Sequence, residues 1–138
     1  MDAPLTRAAA ADLDAAVVVT TPWADGVSVG HQTLHWLAEY GTPGLLGKTV
    51  VVVNNSDGNA DAKTTAAVTQ SFTSTGCPVF ATPFDRRLRP GGIVDLHRGV
   101  GAPTREHFLE IAAALARNFG DNTHRRRPPA TPRRHPMQ

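Results

Sequence analysis

One cysteine, Cys77, in 138 residues excludes an internal disulfide framework, and no Cys/His spacing suits a structural zinc site. Long hydrophobic runs are also missing. None approaches the ~18–20 apolar residues needed to span a bilayer, so no membrane span is expected. Met1-Asp2-Ala3-Pro4 brings an early acid and no apolar signal-peptide core, so a cytoplasmic location is expected. Lysine is scarce: twelve of the fourteen basic residues are arginine. With the abundance of alanine and glycine, that bias points to a GC-rich genome. Strong charge is missing from the body of the chain. Residues 1–120 carry nine Lys/Arg and eleven Asp/Glu, whereas 121–138 carry five Arg and one Asp, so the net +2 comes from the tail.

What is present suits one compact domain. The length allows a single core, and 41% apolar residues is an ordinary globular content. Three β-branched runs are spaced by segments of helical period. Residues 15–21 form an apolar run without alternation, which predicts a strand covered on both faces, as in a parallel sheet. The turn 22–26 ends it. A helix is expected over 27–40, with Val27, Leu34 and Leu37 near one face, stopped by Gly41-Thr42-Pro43-Gly44. Residues 49–54, Thr-Val-Val-Val-Val-Asn, are the strongest strand signal. The cluster 55–59 is a turn, and 61–73 reads as a helix with Ala62, Ala66, Val68 and Phe72 available to pack.

A third strand is expected over 78–82, then a polar loop over 84–103. A last helix is expected from Thr104, as N-cap, to about Phe119, with Gly120 as C-cap and Phe108, Ile111, Ala112 and Leu115 as its buried stripe. Strands joined by helical crossovers predict a parallel three-layer α/β/α sheet with two edges, one of them a place for a missing piece or a partner. Residues 121–138, with four prolines and five arginines, read as a disordered tail.

Several local signals could carry chemistry. Gly47-Lys48-Thr49 looks like the end of a phosphate-binding loop, but the required upstream glycine is Thr42, and the triplet enters a strand instead of leaving one. Residues 58–64 do lie between strand and helix, yet the second glycine is absent, and Asp57 and Asp61 read as helix-capping acids. His31 and His35 share an i, i+4 spacing but read as surface residues, and Cys77 reads as structural. No catalytic or metal constellation emerges. At the carboxyl edge of the expected sheet, where such folds bind ligands, stand Asn54, whose amide can pair with a base edge, and the loop opening Pro83-Phe84-Asp85, although spacing alone reads these as a solvated loop with Asn54 ending its strand. The Arg-rich tail could meet nucleic acid, but without aromatic residues to stack on bases it reads as a solubilising extension.

Residues 11–22, the helix around Gln32-Thr33-Leu34-His35-Trp36-Leu37, the strand ending in Asn54, Pro83-Phe84-Asp85, and Thr104-Arg105-Glu106 occur in an order that resembles the carboxy-terminal half of MinD/ParA-like P-loop ATPases. The deviant Walker A, SIMIBI-class group is meant, and the actinobacterial members tied to type VII (ESX) secretion are the subgroup most similar. The resemblance covers roughly residues 8–120. It implies a P-loop NTPase-like half-domain in which Asn54 contacts adenine and Pro83, Phe84 and Asp85 wall the base. ATP or ADP is the implied ligand. Magnesium would require the switch aspartates, which this sequence lacks along with the glycine-rich Walker A loop. Where many members carry Glu after Thr-Pro, this chain has Trp23.

The implied function is a truncated or split ATPase domain without hydrolysis of its own. Its partners would be a second copy, a chain supplying the Walker A half, or a secretion-system protein. The rival expectation is a non-enzymatic α/β adaptor that binds a protein partner through an exposed sheet edge, or nucleic acid through the tail.

Overall fold

The computed structural model describes residues 4–95 and 97–117. The elements run α1 (Pro4–Ala11), β1 (Ala16–Thr20), α2 (Ala24–Tyr40), β2 (Thr49–Asn54), α3 (Ala62–Thr73), β3 (Val79–Thr82) and α4 (Ala102–Ala116). Single 3-10 turns occur at Leu45–Lys48 and Arg86–Leu88. The three strands form one parallel sheet in the order β1-β2-β3, with Val17 opposite Val50 and Val53 opposite Ala81. Each right-handed crossover moves one strand in the same direction, so α2 and α3 lie on the same face. With α2 and α3, Val18, Val51 and Val53 pack against Leu34, Leu37 and Phe72. On the opposite face Val50 and Val52 pack against Ala114, Ile111 and Leu115 of α4. The architecture is a three-layer α/β/α sandwich around β2, whose first five residues are all buried.

Close packing of α2 on the sheet depends on Gly30. A Cβ there would stand 2.8 Å from Cζ of Phe72, which is fully buried. His31 stacks on the same ring, with centroids 4.2 Å apart and Nε2 3.4 Å from Ser71 Oγ. It is therefore a packing residue, not the surface histidine expected, while His35 is exposed.

The expectation that both faces of the first strand are covered does not hold. Val18 and Thr20 are buried, but Val17 and Val19 remain 43% and 63% exposed. The helix α4 packs mainly on β2 and β3 and leaves Val17 and Val19 of β1 largely uncovered. An apolar run alone does not reveal whether a neighbouring helix reaches it.

The other differences are local. The expected turn at 22–26 is partly the first turn of α2, closed by the Val27 N–H to Trp23 carbonyl bond of 2.9 Å. The unanticipated α1 sits against α2, with the Arg7 guanidinium 4.6 Å above the Tyr40 ring centroid. Thr104 is not the cap of α4. Gly101 holds that position, and Thr104 lies buried one turn inside. The buried stripe of α4 is rotated accordingly: Ala114 is buried, whereas Phe108 and Ala112 are exposed. In α3, Ala62 and Ala66 are exposed, and Phe72 carries the packing. Phe119, Gly120 and the tail 121–138 lie outside the described residues. Among the described residues no helix is long and apolar enough to cross a membrane.

Candidate functional site

Parallel strands deliver their carboxyl ends to a single edge, so the loops after β1, β2 and β3 meet there. Side-chain bonds tie these loops together in sequence. Trp23, at the N-cap position of α2, donates its indole N–H to Asp57 Oδ2 at 3.1 Å, joining the first loop to the second. The other oxygen of Asp57 accepts the Asn59 N–H at 2.9 Å. That backbone bond, with the indole bond in support, holds the Asp57 carboxyl below its ordinary pKa. Asn55 braces the loop from within, donating Nδ2–H to the Ala60 carbonyl at 3.0 Å and accepting the Ala60 N–H at 3.3 Å. Asp61 accepts the Thr64 N–H at 2.7 Å, which caps α3 and lowers its own pKa.

The second loop meets the third at Gly58. Its φ of +73° lies in the left-handed region, and a Cβ there would approach the Phe84 ring to 2.9 Å. The position calls for glycine twice over, by backbone conformation and by the close approach of the ring. Beneath this contact, the Thr82 hydroxyl donates to Asn54 Oδ1 at 3.2 Å, with the Val53 carbonyl at 3.5 Å. Asn54 Nδ2 makes no hydrogen bond among the described residues.

Asp85 links the third loop to α4. Its Oδ1 accepts the Arg87 N–H at 2.9 Å, and its Oδ2 accepts the Gly101 N–H at 2.7 Å and the Thr104 hydroxyl at 3.0 Å. The Gly101 N–H is the main reason its pKa is lowered, followed by the Arg87 N–H. Both carboxylate oxygens are thus engaged inside the protein. Asp85 sets the shape of the wall and is not a free acceptor for a ligand.

These contacts enclose a cavity of about 470 Å³. Its floor is Val17, Val19 and Val52, and its apolar walls are Phe84, Leu88, Phe108 and Ile111. Asn54, Asn55, Ser56, Thr82 and Thr104 bring polar atoms to it, and Arg89 is the one cationic side chain among its described lining residues. All four residues expected at a base site, Asn54, Pro83, Phe84 and Asp85, line this single cavity. Sequence reasoning missed Thr82, Leu88, Phe108 and the two β1 valines. Thr82 carried a usable signal, since register sets it opposite Asn54 in the parallel ladder.

The triplet Gly47-Lys48-Thr49 lies elsewhere. It runs from the 3-10 turn into the amino-terminal end of β2, and the fully buried Thr49 hydroxyl donates to the Leu45 carbonyl at 2.8 Å. Cys77 is buried, with Sγ 3.4 Å from the Leu46 carbonyl. Among the described residues no group of three or more His, Cys, Asp or Glu is placed to hold a metal ion. Comparison of the chain with protein-family models, with curated proteins and with solved structures finds no match in any of the three.

Proposed function

We propose that residues 1–120 form the base-side part of a MinD/ParA-like nucleotide-binding domain, which holds an adenine ring and hydrolyses nothing by itself. The observation that carries this reading is the convergence of Asn54, Pro83, Phe84 and Asp85 on one cavity at the carboxyl edge of a parallel sheet. Its volume suits a small planar ligand, since such sites typically enclose roughly 300–1,000 Å³. Phe84 offers an aromatic wall, and Asn54 Nδ2, which makes no hydrogen bond among the described residues, offers a donor to a ring nitrogen. ATP or ADP would be held by the base alone, because this sequence contains no glycine-rich lysine loop to wrap its phosphates. Affinity should therefore be weak and nearly independent of magnesium.

Titration calorimetry or ligand-observed NMR with adenosine, ADP and cytidine tests the reading. Adenosine and ADP should bind in the high-micromolar to millimolar range, and Asn54→Ala should weaken both by about 5–10-fold, the value of one neutral hydrogen bond. Equal binding of cytidine, or no effect of Asn54→Ala, would refute it. A partner carrying the glycine-lysine loop would complete the triphosphate site. Its recovery with the tagged chain, accompanied by ATPase activity that neither chain shows alone, is the corresponding test.

A further inference from the structure

The cavity at the carboxyl edge of the sheet is mostly apolar, and Asp85 and Arg89 are the two charged residues among its described lining. Asp85 is already engaged. Its oxygens accept from the Arg87 N–H, the Gly101 N–H and the Thr104 hydroxyl, and the Arg87 cation attracts it as well. Asn55 closes its amide on Ala60, and the Thr82 hydroxyl donates to Asn54 Oδ1. What stays open to a ligand is Asn54 Nδ2, the Ser56 hydroxyl and the Arg89 guanidinium. None of these three has a hydrogen bond or ion pair among the described residues.

Arg89 follows the 3-10 turn Arg86–Leu88 as its C-cap residue. Arg86 and Arg87 of the same turn do not line the cavity, whereas Arg89 does. Arg89 is exposed, while Val52 and Thr82 at the strand ends are buried. The cavity therefore offers apolar surface where it meets the sheet and one unneutralised positive charge where it meets solvent. A ligand that matches both carries a flat, weakly polar ring and a single anionic group.

We propose that the ligand of this cavity is a nucleoside monophosphate, adenosine monophosphate (AMP) on the adenine reading above, with its phosphate paired to Arg89. The ring rests on that reading, and the single phosphate rests on Arg89. A terminal phosphate carries about −1.5 to −2 charges at neutral pH and presents two oxygens to the fork of one guanidinium. In ADP or ATP the phosphate beside the ribose is only singly charged. The rest of the chain runs past Arg89, with no other cation among the described lining residues to meet it. The longer nucleotides thus fall back on the contacts to the base. One cation selects one phosphate.

Titration calorimetry on the full chain with adenosine, AMP, ADP and inorganic phosphate tests this, with phosphorus NMR for the weakest ligands. AMP should bind about 5-fold more tightly than adenosine, the upper end for a solvent-exposed ion pair, and more tightly than ADP or inorganic phosphate. Arg89→Gln should erase the difference between AMP and adenosine. Arg86→Gln changes an exposed arginine of the same turn outside the cavity and should preserve it. Salt at about 1 M, where screening sets in within roughly 3 Å, should shrink the difference too. AMP no tighter than adenosine, ADP as tight as AMP, or a preference that survives Arg89→Gln would each overturn the proposal while adenosine binding keeps the adenine reading standing. Inorganic phosphate as tight as AMP would reveal a bare anion site and overturn it as well. Failure of adenosine to bind would sink the adenine reading itself, and the proposal with it.

Discussion

Replacing Gly58 by alanine separates two physical effects that meet at one atom. The first is backbone strain: at φ +73° an L side chain costs about 1–2 kcal/mol. The second is steric, because the new Cβ would lie 2.9 Å from Phe84 ring carbons. Forcing a methyl against a packed ring costs about 1–3 kcal/mol. The lower end applies here, since Phe84 is 39% exposed and can swing outward. Gly58→Ala should thus cost about 2–3 kcal/mol in total and lower Tm by roughly 10 °C. In a Phe84→Ala background only the strain remains, so the same substitution should cost about 1–2 kcal/mol.

The assay is a double-mutant cycle by urea denaturation. Fluorescence is a suitable probe because the Trp23 indole is bonded to Asp57 in the same loop. A coupling of about 1 kcal/mol is expected. An equal cost in both backgrounds would show that the ring is not what the glycine accommodates, and a neutral Gly58→Ala would refute the strain as well. Because Phe84 walls the cavity, Gly58→Ala should also weaken adenosine binding while leaving the sheet intact.

The remaining predictions concern acid stability and the buried threonine. The Asp85, Asp61 and Asp57 carboxyls have lowered pKa values in the fold. Their contributions are complete above the ordinary aspartate value of about 3.9 and are lost as pH falls through the lowered folded values. Asp85→Asn should therefore destabilise at pH 7 and differ less from wild type near pH 3, read by urea denaturation at both. A difference that is constant with pH would contradict the role given to the charge. Thr49→Val keeps the shape but removes the 2.8 Å bond to the Leu45 carbonyl. It should cost about 1–3 kcal/mol in the same assay, and a neutral result would mean that water reaches that carbonyl.

Periodicity and composition made much of the fold legible. The run 49–54 matches β2 residue for residue, and the expected strands at 15–21 and 78–82 contain β1 and β3. The end of α2 at Tyr40 was recoverable because the stop signal Gly41-Thr42-Pro43-Gly44 follows it, and the expected helix end at Thr73 also matches α3. Starts were harder, because Trp23 and Gly101 cap without a side-chain bond and so leave no N-cap signature. At the candidate site, the sequence identified Asn54 and the loop beginning at Pro83. The role of Asp85 was not visible, since its partners Gly101 and Thr104 lie 16 and 19 residues away.

The sequence by itself determined a parallel α/β sheet with a central valine strand. Strand and helix periods are local, and β-branched runs between turn residues leave few alternatives. Only the tertiary structure decided which surfaces are covered. The valines of β1 and β2 look alike along the chain, yet on the α4 face Val50 and Val52 are buried while their β1 neighbours Val17 and Val19 are 43% and 63% exposed. That difference depends on where α4 lies across the sheet, a non-local matter of packing that no window of neighbouring residues records. The same placement gives the cavity its wall of Phe108 and Ile111.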